Sequence, residues 1–301
     1  MIVTKFKYFL ENNLVKKIDM MLLRCSQKNP KRDAVLLCEG EEGQGKTTLS
    51  VAIGYYAAEK LGRVFNHTRV FFDLNKMIDF LKNSEEEIAV WDEPALHAMS
   101  TDTSTKVVRN LTRLLMMSRK KRHFLIINLA YFNKFNDYVV WQRPLGMIHV
   151  YSRNEIQAGR FIYIKKRKLE YLWQDWRRFR KRNYKKWSAK RIRGTFPDVM
   201  NPDYKNNVLS DFDIKFYESE KDKAIAMIGS ESEKGKKDLK FLALKYLVAM
   251  VPMRTQDKKK CFNISSVTLF KWKRLPEKYP EIIDIIKEKS KEAVKYYPLV
   301  N

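Results

Sequence analysis

Over the first 30 residues apolar positions recur with helical spacing: Phe6, Phe9, Leu10, Leu14, Ile18, Met21 and Leu22, with lysines between them. This predicts a helix over 5–28 packed on the outside of a core. The pattern then switches to short apolar runs alternating with longer amphipathic stretches, as in a parallel α/β layer. The runs predict strands at 34–39, 69–73, 88–91, 123–128 and 146–151. Helices are predicted at 46–61, 74–83, 104–118 and 133–140, with a hairpin arm over 153–166 that turns near Ala158-Gly159. After Arg160 the composition shifts. Between Arg160 and Arg193 fifteen lysines and arginines meet only Glu170 and Asp175, interleaved with Tyr171, Trp173, Trp176, Phe179, Tyr184 and Trp187. Residues 194–217 read as irregular, and 229–238 has linker composition. The expected layout is an N-terminal helix (1–30), an α/β domain with a mostly parallel sheet flanked by helices (31–165), a basic aromatic-rich extension (166–228), a linker (229–238) and a small all-α unit (239–301).

Between the first strand and its helix lies Gly40-Glu41-Glu42-Gly43-Gln44-Gly45-Lys46-Thr47, a complete G-x-x-x-x-G-K-[ST] phosphate-binding loop in the strand–loop–helix context the motif needs. Its glycines let the chain wrap a phosphate so that successive N–H groups point inward, at the positive end of a helix. Gly40, Gly43, Gln44, Gly45, Lys46, Thr47 and Thr48 are the expected contacts to ATP. Lys46 reaches the β- and γ-phosphates in this reading, and the Thr47 hydroxyl ligates Mg²⁺. The fold class is therefore that of a P-loop NTPase.

Ile88-Ala89-Val90-Trp91-Asp92-Glu93 is an apolar strand ending in two acids, the pattern of a Walker B motif with an extra glutamate. Asp92, at the end of a neighbouring strand, is expected to hold Mg²⁺ beside Thr47, and Glu93 to act as the base on the attacking water. Asn128 ends the next strand and is the candidate for the polar residue near the γ-phosphate; a turn-forming Asn is the competing reading. An arginine finger is expected if the site lies between subunits. Arg109, Arg113, Arg119, Arg122 and Arg143 are eligible. Arg143 ranks first, because it sits in a loop between an apolar helix and a strand, followed by Arg119.

Sixty Lys and Arg against 35 Asp and Glu give a formal charge of +25. That excess attracts polyanions and is more than a nucleotide requires, with nucleic acid first and an anionic membrane surface second. Cys25, Cys38 and Cys261 are odd in number and widely spaced, against a disulfide framework or zinc site and in favour of a reducing compartment. The N-terminus lacks a signal-peptide layout. The longest apolar run, Phe241 to Met253, is broken by Lys245 and Pro252, so no membrane span is expected. A cytoplasmic protein is the expectation.

The order of motifs resembles the FtsK/HerA branch of ring ATPases. It runs from the loop through Val90-Trp91-Asp92-Glu93, a helix ending Met117-Ser118-Arg119-Lys120-Lys121-Arg122, Phe124-Leu125-Ile126-Ile127-Asn128 and Phe135-Asn136-Asp137 to Arg143. Within that branch it is similar to zonula occludens toxin-like and viral genome-packaging ATPases. The resemblance covers roughly residues 30–152 and implies a usually hexameric homo-oligomeric ring that moves DNA with ATP. The branch usually places Gln where this chain has Asn128, which leaves an AAA+ assignment open.

In the basic tract, Arg177, Arg178, Arg180 and Lys181 are the candidate phosphate contacts, with aromatics available to stack on bases or to pack in the core. The C-terminal unit reads as a helix-turn-helix: a helix from Leu239, a short helix around 256–262, a turn at 263–265, and a recognition helix from Val267 to Arg274. Val267, Phe270 and Leu275 are the expected buried positions, leaving Ser266, Thr268, Lys271 and Lys273 for a major groove. The same three-helix pattern also serves protein interaction. The composite expectation is a DNA translocase or packaging-type motor of a virus or mobile element acting on duplex DNA. The alternative is an ATP-dependent DNA-bound switch such as a replication-initiator, partition or transposition-regulator ATPase. A small-molecule kinase is disfavoured by Glu93, the charge and the C-terminal unit.

Overall fold

The computed structural model describes residues 2–3, 8–92, 101–152, 159–201, 209, 211–250, 255–257 and 266–287. Two compact units divide the chain at Ile225/Ala226. In the first, β1 (Ile2–Val3) pairs with β2 (Phe9–Leu10) and leads into α1 (Asn12–Ser26), whose first turn is capped by the Glu11 carboxylate accepting from Leu14 N. The predicted helix over 5–28 is therefore shorter and preceded by strand. Next come β3 (Ala34–Glu39), α2 (Lys46–Leu61), β4 (Val70–Phe71), α3 (Leu74–Lys82), β5 (Ile88–Asp92), α4 (Thr101–Met117), β6 (Phe124–Leu129) and β7 (Gly146–Tyr151). The basic tract supplies β8 (Arg160–Lys165), α5 (Lys166–Phe179), α6 (Tyr184–Trp187) and β9 (Arg193–Thr195), and α7 spans Ile214–Met250.

A seven-stranded sheet runs β4-β5-β6-β3-β7-β8-β9, parallel through β7 and antiparallel at β8 and β9. Every residue of β3, β5 and β6 is buried, so these strands are near-continuous apolar runs rather than alternating ones, broken only by Glu39, Asp92 and Asn128 near their carboxyl ends. Their side chains still divide by parity. Ala34, Leu36 and Cys38 join one core with α1 and α2, whereas Val35 and Leu37 join another with α3, α4 and α5. Helix α2 is buried continuously from Leu49 to Ala58, since α1 covers its outer side, with the Tyr56 hydroxyl donating to Asp19 at 2.6 Å. It stops at Gly62 in the left-handed conformation.

Several expected elements change. The strand predicted over 69–73 keeps only Val70–Phe71, because Asn66 accepts from Thr68 N and winds 67–69 into a tight turn. The predicted helix 133–140 is two separate turns, 132–134 and 138–142. Of the expected hairpin arm, β8 pairs antiparallel with β7 and α5 starts at Lys166, while residues 153–158 lie outside the described set. The extension is no appendage: β8 and β9 continue the sheet, and Leu169, Leu172 and Trp173 pack into its core while the cations of α5 face solvent. Residues 229–238, expected as a linker, are helical backbone within α7.

The second unit, Ala226–Asn301, contains helices α8 (Ser266–Lys273) and α9 (Leu275–Lys278), then helical residues 281–287. Ala243, Ala249 and Ile282 are buried, and Lys245 Nζ lies 5.9 Å from the Trp272 ring centroid. Phe270, expected inside, is 61% exposed. No helix among the described residues is long and apolar enough to cross a membrane.

His123, fully buried at the start of β6, accepts from Glu87 N on Nδ1 at 3.0 Å, so Nε2 carries the proton toward Leu81 O. Burial lowers its pKa to about 4. The unfolded chain therefore binds the proton more readily, and stability present above about pH 6.5 is lost as pH falls toward 4. Between pH 7 and 5 the His123 contribution is expected to fall by about 2 kcal/mol. Urea unfolding of wild type beside His123→Leu checks this. An equal loss in both proteins would assign the acid sensitivity to other groups.

Candidate functional site

The carboxyl ends of β3, β5, β6 and β7 share one edge of the sheet, where Cys38 aligns with Asn128, Asp92 with Asn128, and Glu39 with His149. In open α/β sheets this is the edge at which ligands bind. The loop from Gly40 to Gly45 crosses it and enters α2. Gly43 and Gly45 have φ of +73° and +89°, values that side chains beyond glycine rarely adopt, and a Cβ on Gly40 would lie 2.3 Å from Val150 O. Helix α2 begins at Lys46 without a side-chain cap. Its first N–H groups, those of Lys46, Thr47 and Thr48, have no acceptor within the helix and form the positive pole of its dipole. Lys46 Nζ donates to Glu41 O at 2.8 Å, across the loop. Within the loop, Gln44 Oε1 is buried and has no hydrogen-bond partner among the described residues.

Asp92 is the hub. It is 6% exposed, and three donors converge on its carboxylate. Thr47 Oγ1 donates to Oδ2 at 2.8 Å, Tyr217 OH to Oδ2 at 2.9 Å, and Asn128 Nδ2 to Oδ1 at 2.9 Å. Asn128 Oδ1 in turn accepts from Ser50 Oγ at 2.5 Å. This fixes the orientation of the Asn128 amide, since its oxygen must face a hydroxyl and its nitrogen a carboxylate. Strand β6 lies between β3 and β5, so Asp92 belongs not to the strand adjoining the loop strand but to the next one out, and Thr47 reaches it across the end of β6.

A second buried acid, Glu39, closes the other side of the loop. His149 Nδ1 donates to Oε2 at 2.6 Å and Tyr184 OH to Oε1 at 2.6 Å, with the His149 and Tyr184 rings stacked 3.7 Å apart. Burial, then the Glu39 charge, raise the Tyr184 pKa; burial and Asp92 do the same for Tyr217. Both phenols therefore remain donors at neutral pH. Phe196 packs on the loop, 3.2 Å from where a Gly45 Cβ would stand.

One carboxylate beside one hydroxyl fits Mg²⁺, which keeps most of its shell for water and phosphate oxygens. No group of three or more metal-ligating side chains occurs among the described residues.

No family model, curated protein or solved structure matches the chain.

The sheet edge brings Lys46, Thr47, Asp92 and Asn128 to one place. Glu93 lies outside the described residues. Arg143 is not at this edge. It is 5% exposed and ion-paired with buried Asp33, which precedes β3, and its Nε donates to Leu115 O at 3.1 Å, all at the amino ends of the strands. Arg119 shares that end, donating to Tyr138 OH at 3.0 Å, and Arg122 is paired with Glu86. Arg109 and Arg113 are exposed on α4, which follows β5. The guanidinium and ammonium groups of Arg177, Arg178, Arg180 and Lys181 are exposed at the end of α5. Lys271 and Lys273 are exposed on α8, whereas the side chains of Ser266 and Thr268 fall outside the described set. Ser50, Glu39, His149, Tyr184 and Tyr217 were missed by sequence reasoning. Of these only Glu39 carries a signal there, as an acid closing an otherwise apolar strand.

Proposed function

We propose that the chain is a Mg²⁺-dependent ATPase that couples ATP hydrolysis to nucleic acid, acting as a DNA-moving ring assembly of the packaging or translocase type. The observation that carries the ATPase reading is the 2.8 Å contact between the Thr47 hydroxyl, just past a glycine loop, and the Asp92 carboxylate on the same sheet edge. A hydroxyl and a carboxylate so placed are the protein's share of a nucleotide-bound Mg²⁺ shell. Thr47 and Asp92 would hold the metal, which would supply positive charge against the phosphates of a bound nucleotide. Lys46 exchanges the Glu41 carbonyl for those oxygens, and the first N–H groups of α2 neutralise phosphate charge at a preorganised helix end. Asn128, locked by Ser50, holds Asp92 in orientation. Glu93, the residue following Asp92, takes the proton of the attacking water in this scheme. With Arg143 and Arg122 committed to ion pairs and Arg119 bonded to Tyr138 at the amino ends of the strands, the arginine finger of a neighbouring subunit falls to Arg109 or Arg113. The charge of +25 and the exposed Arg177, Arg178, Arg180 and Lys181 support duplex DNA as the partner, with Lys271 and Lys273 of the C-terminal unit as a second contact.

The test is ATP hydrolysis with and without duplex DNA, wild type beside Glu93→Gln. Turnover strongly stimulated by DNA and lost in the variant is the expected result. Slow turnover indifferent to DNA, with ATP-dependent DNA binding, would replace the motor by a DNA-bound switch.

A further inference from the structure

The end of the sheet opposite the Asp92 site carries its own concentration of charge. Two cavities, of about 620 and 450 Å³, adjoin there and share Arg24, Arg32, Leu145 and Lys166 in their walls. The first adds Lys17, Lys165 and Arg167. The second adds Lys31, Arg119, Lys120 and the buried Arg143. Among the described lining residues Asp33 is the one carboxylate, and it is 1% exposed and committed to Arg143 and to Ser118 Oγ at 3.0 Å. Lys31 lies 3.7 Å from the exposed Glu85 carboxylate, whereas Arg24 and Lys166 are met by neutral acceptors. Arg24 Nε donates to Asp33 O at 3.0 Å and Lys166 Nζ to Gln142 O at 2.9 Å. Burial, then Arg32 and Arg143, lower the Arg24 pKa; burial, then Arg143, Arg24 and Arg119, lower that of Lys166. Like charges gathered in one recess raise the local attraction for an anion.

Helix α5 begins in the same recess with Lys166, Arg167 and Lys168 in its first turn and no acid there, cations set at the positive pole of a helix. From Arg167 the positions 171, 174 and 178 follow at helical spacing along one face. Tyr171 on that face is exposed and stacked on Trp187, with centroids 5.1 Å apart and Lys168 over both rings. The stripe ends at Arg178, about 17 Å from Arg167 at 1.5 Å per residue, or about five base-pair steps.

We propose that the cationic recess at the amino edge of the sheet, continued along α5, is a track for the phosphate backbone of a nucleic acid. It rests on the nucleic-acid reading above and adds a place for it, separated from the ATP site by the length of β3, about 20 Å for six residues. A phosphate backbone enters a recess, whereas a bilayer surface is met by protruding groups. That shape favours nucleic acid over anionic lipid, even though Met20 and Leu23 of α1 are exposed nearby.

Binding of the full chain to a fluorescent duplex of about 20 base pairs is followed from roughly 50 to 200 mM salt. The variant Arg32→Gln/Lys166→Gln is measured beside wild type and the charge-matched control Lys60→Gln/Lys76→Gln. Loss of two phosphate contacts makes the log–log salt slope shallower by about 1.8, so the fourfold rise in salt weakens the variant about 12-fold less than wild type. The control keeps the wild-type slope. If the double variant does not fold, Arg167→Glu, on an exposed side chain, is read by the same change in slope. A slope unchanged in the recess variants while wild type binds overturns the track alone. A wild type that binds no nucleic acid overturns the broader reading with it. Phosphatidylserine vesicle binding that these variants abolish, with the DNA slope intact, assigns the recess to lipid and also overturns the track.

Discussion

Asp92→Asn is expected to cut ATP turnover by about 10²–10³-fold while leaving the chain folded. The substitution keeps the shape of a side chain that is 6% exposed and meets Thr47, Tyr217 and Asn128. Hydroxyls can turn from donating to accepting, so the new amide can still be satisfied by Thr47 and Tyr217. What is lost is the negative charge that a Mg²⁺ ion beside Thr47 requires. Tyr217→Phe is expected to act in the opposite direction. Its hydroxyl occupies Oδ2, the same oxygen that Thr47 reaches, and removing it leaves Asp92 less fully bonded. The Mg²⁺ concentration for half-maximal turnover is then expected to drop severalfold. Steady-state hydrolysis across a Mg²⁺ series, with a thermal melt for each variant, separates these effects from unfolding. Wild-type turnover in folded Asp92→Asn would take this acid out of the metal site.

The parts of this site that lie close in sequence were legible in it. Strands 34–39 and 146–151 and helix 46–61 have the boundaries expected, because burial writes these strands as short, mostly apolar runs and Gly45 and Gly62 punctuate the helix between left-handed residues. The partners of the acids were not legible. Tyr184 reaches Glu39 across 145 positions and Tyr217 reaches Asp92 across 125, and nothing in local periodicity links residues so far apart. Strand order is hidden in the same way: the pattern gives β5 before β6 in the chain, while the fold sets β6 between β5 and β3. The misread helix over 133–140 has a local cause. Phe135, Val139 and Val140 are buried with near-helical spacing, but Asn136 Oδ1 accepts from Val139 N at 3.1 Å and restarts the chain there. Composition misled at 229–238, where Gly and Ser suggested a linker although Glu and Lys, good helix formers, outnumber them.

Arg143→Met is expected to destabilise the chain by about 3–5 kcal/mol, the usual result of removing one partner of a buried ion pair. The cost comes from the residue left behind. Asp33 is 1% exposed at the foot of β3, with Ser118 Oγ as its remaining side-chain donor, and Leu115 O also loses the bond from Arg143 Nε. Neutralising both members should recover much of the loss, since Asp33→Asn/Arg143→Met buries no unpaired charge. Urea unfolding of the two single variants and the double variant at pH 7 supplies the cycle. The same series decides between two roles for this arginine. A structural anchor loses stability and turnover together when replaced by Met, and regains both in the double variant. An arginine finger would leave stability at the wild-type value and lose turnover alone, and pairing it with Asp33→Asn would restore nothing. A stable, inactive Arg143→Met would therefore return the residue to a catalytic role, which its burial against Asp33, at the far end of the strands from Thr47 and Asp92, argues against.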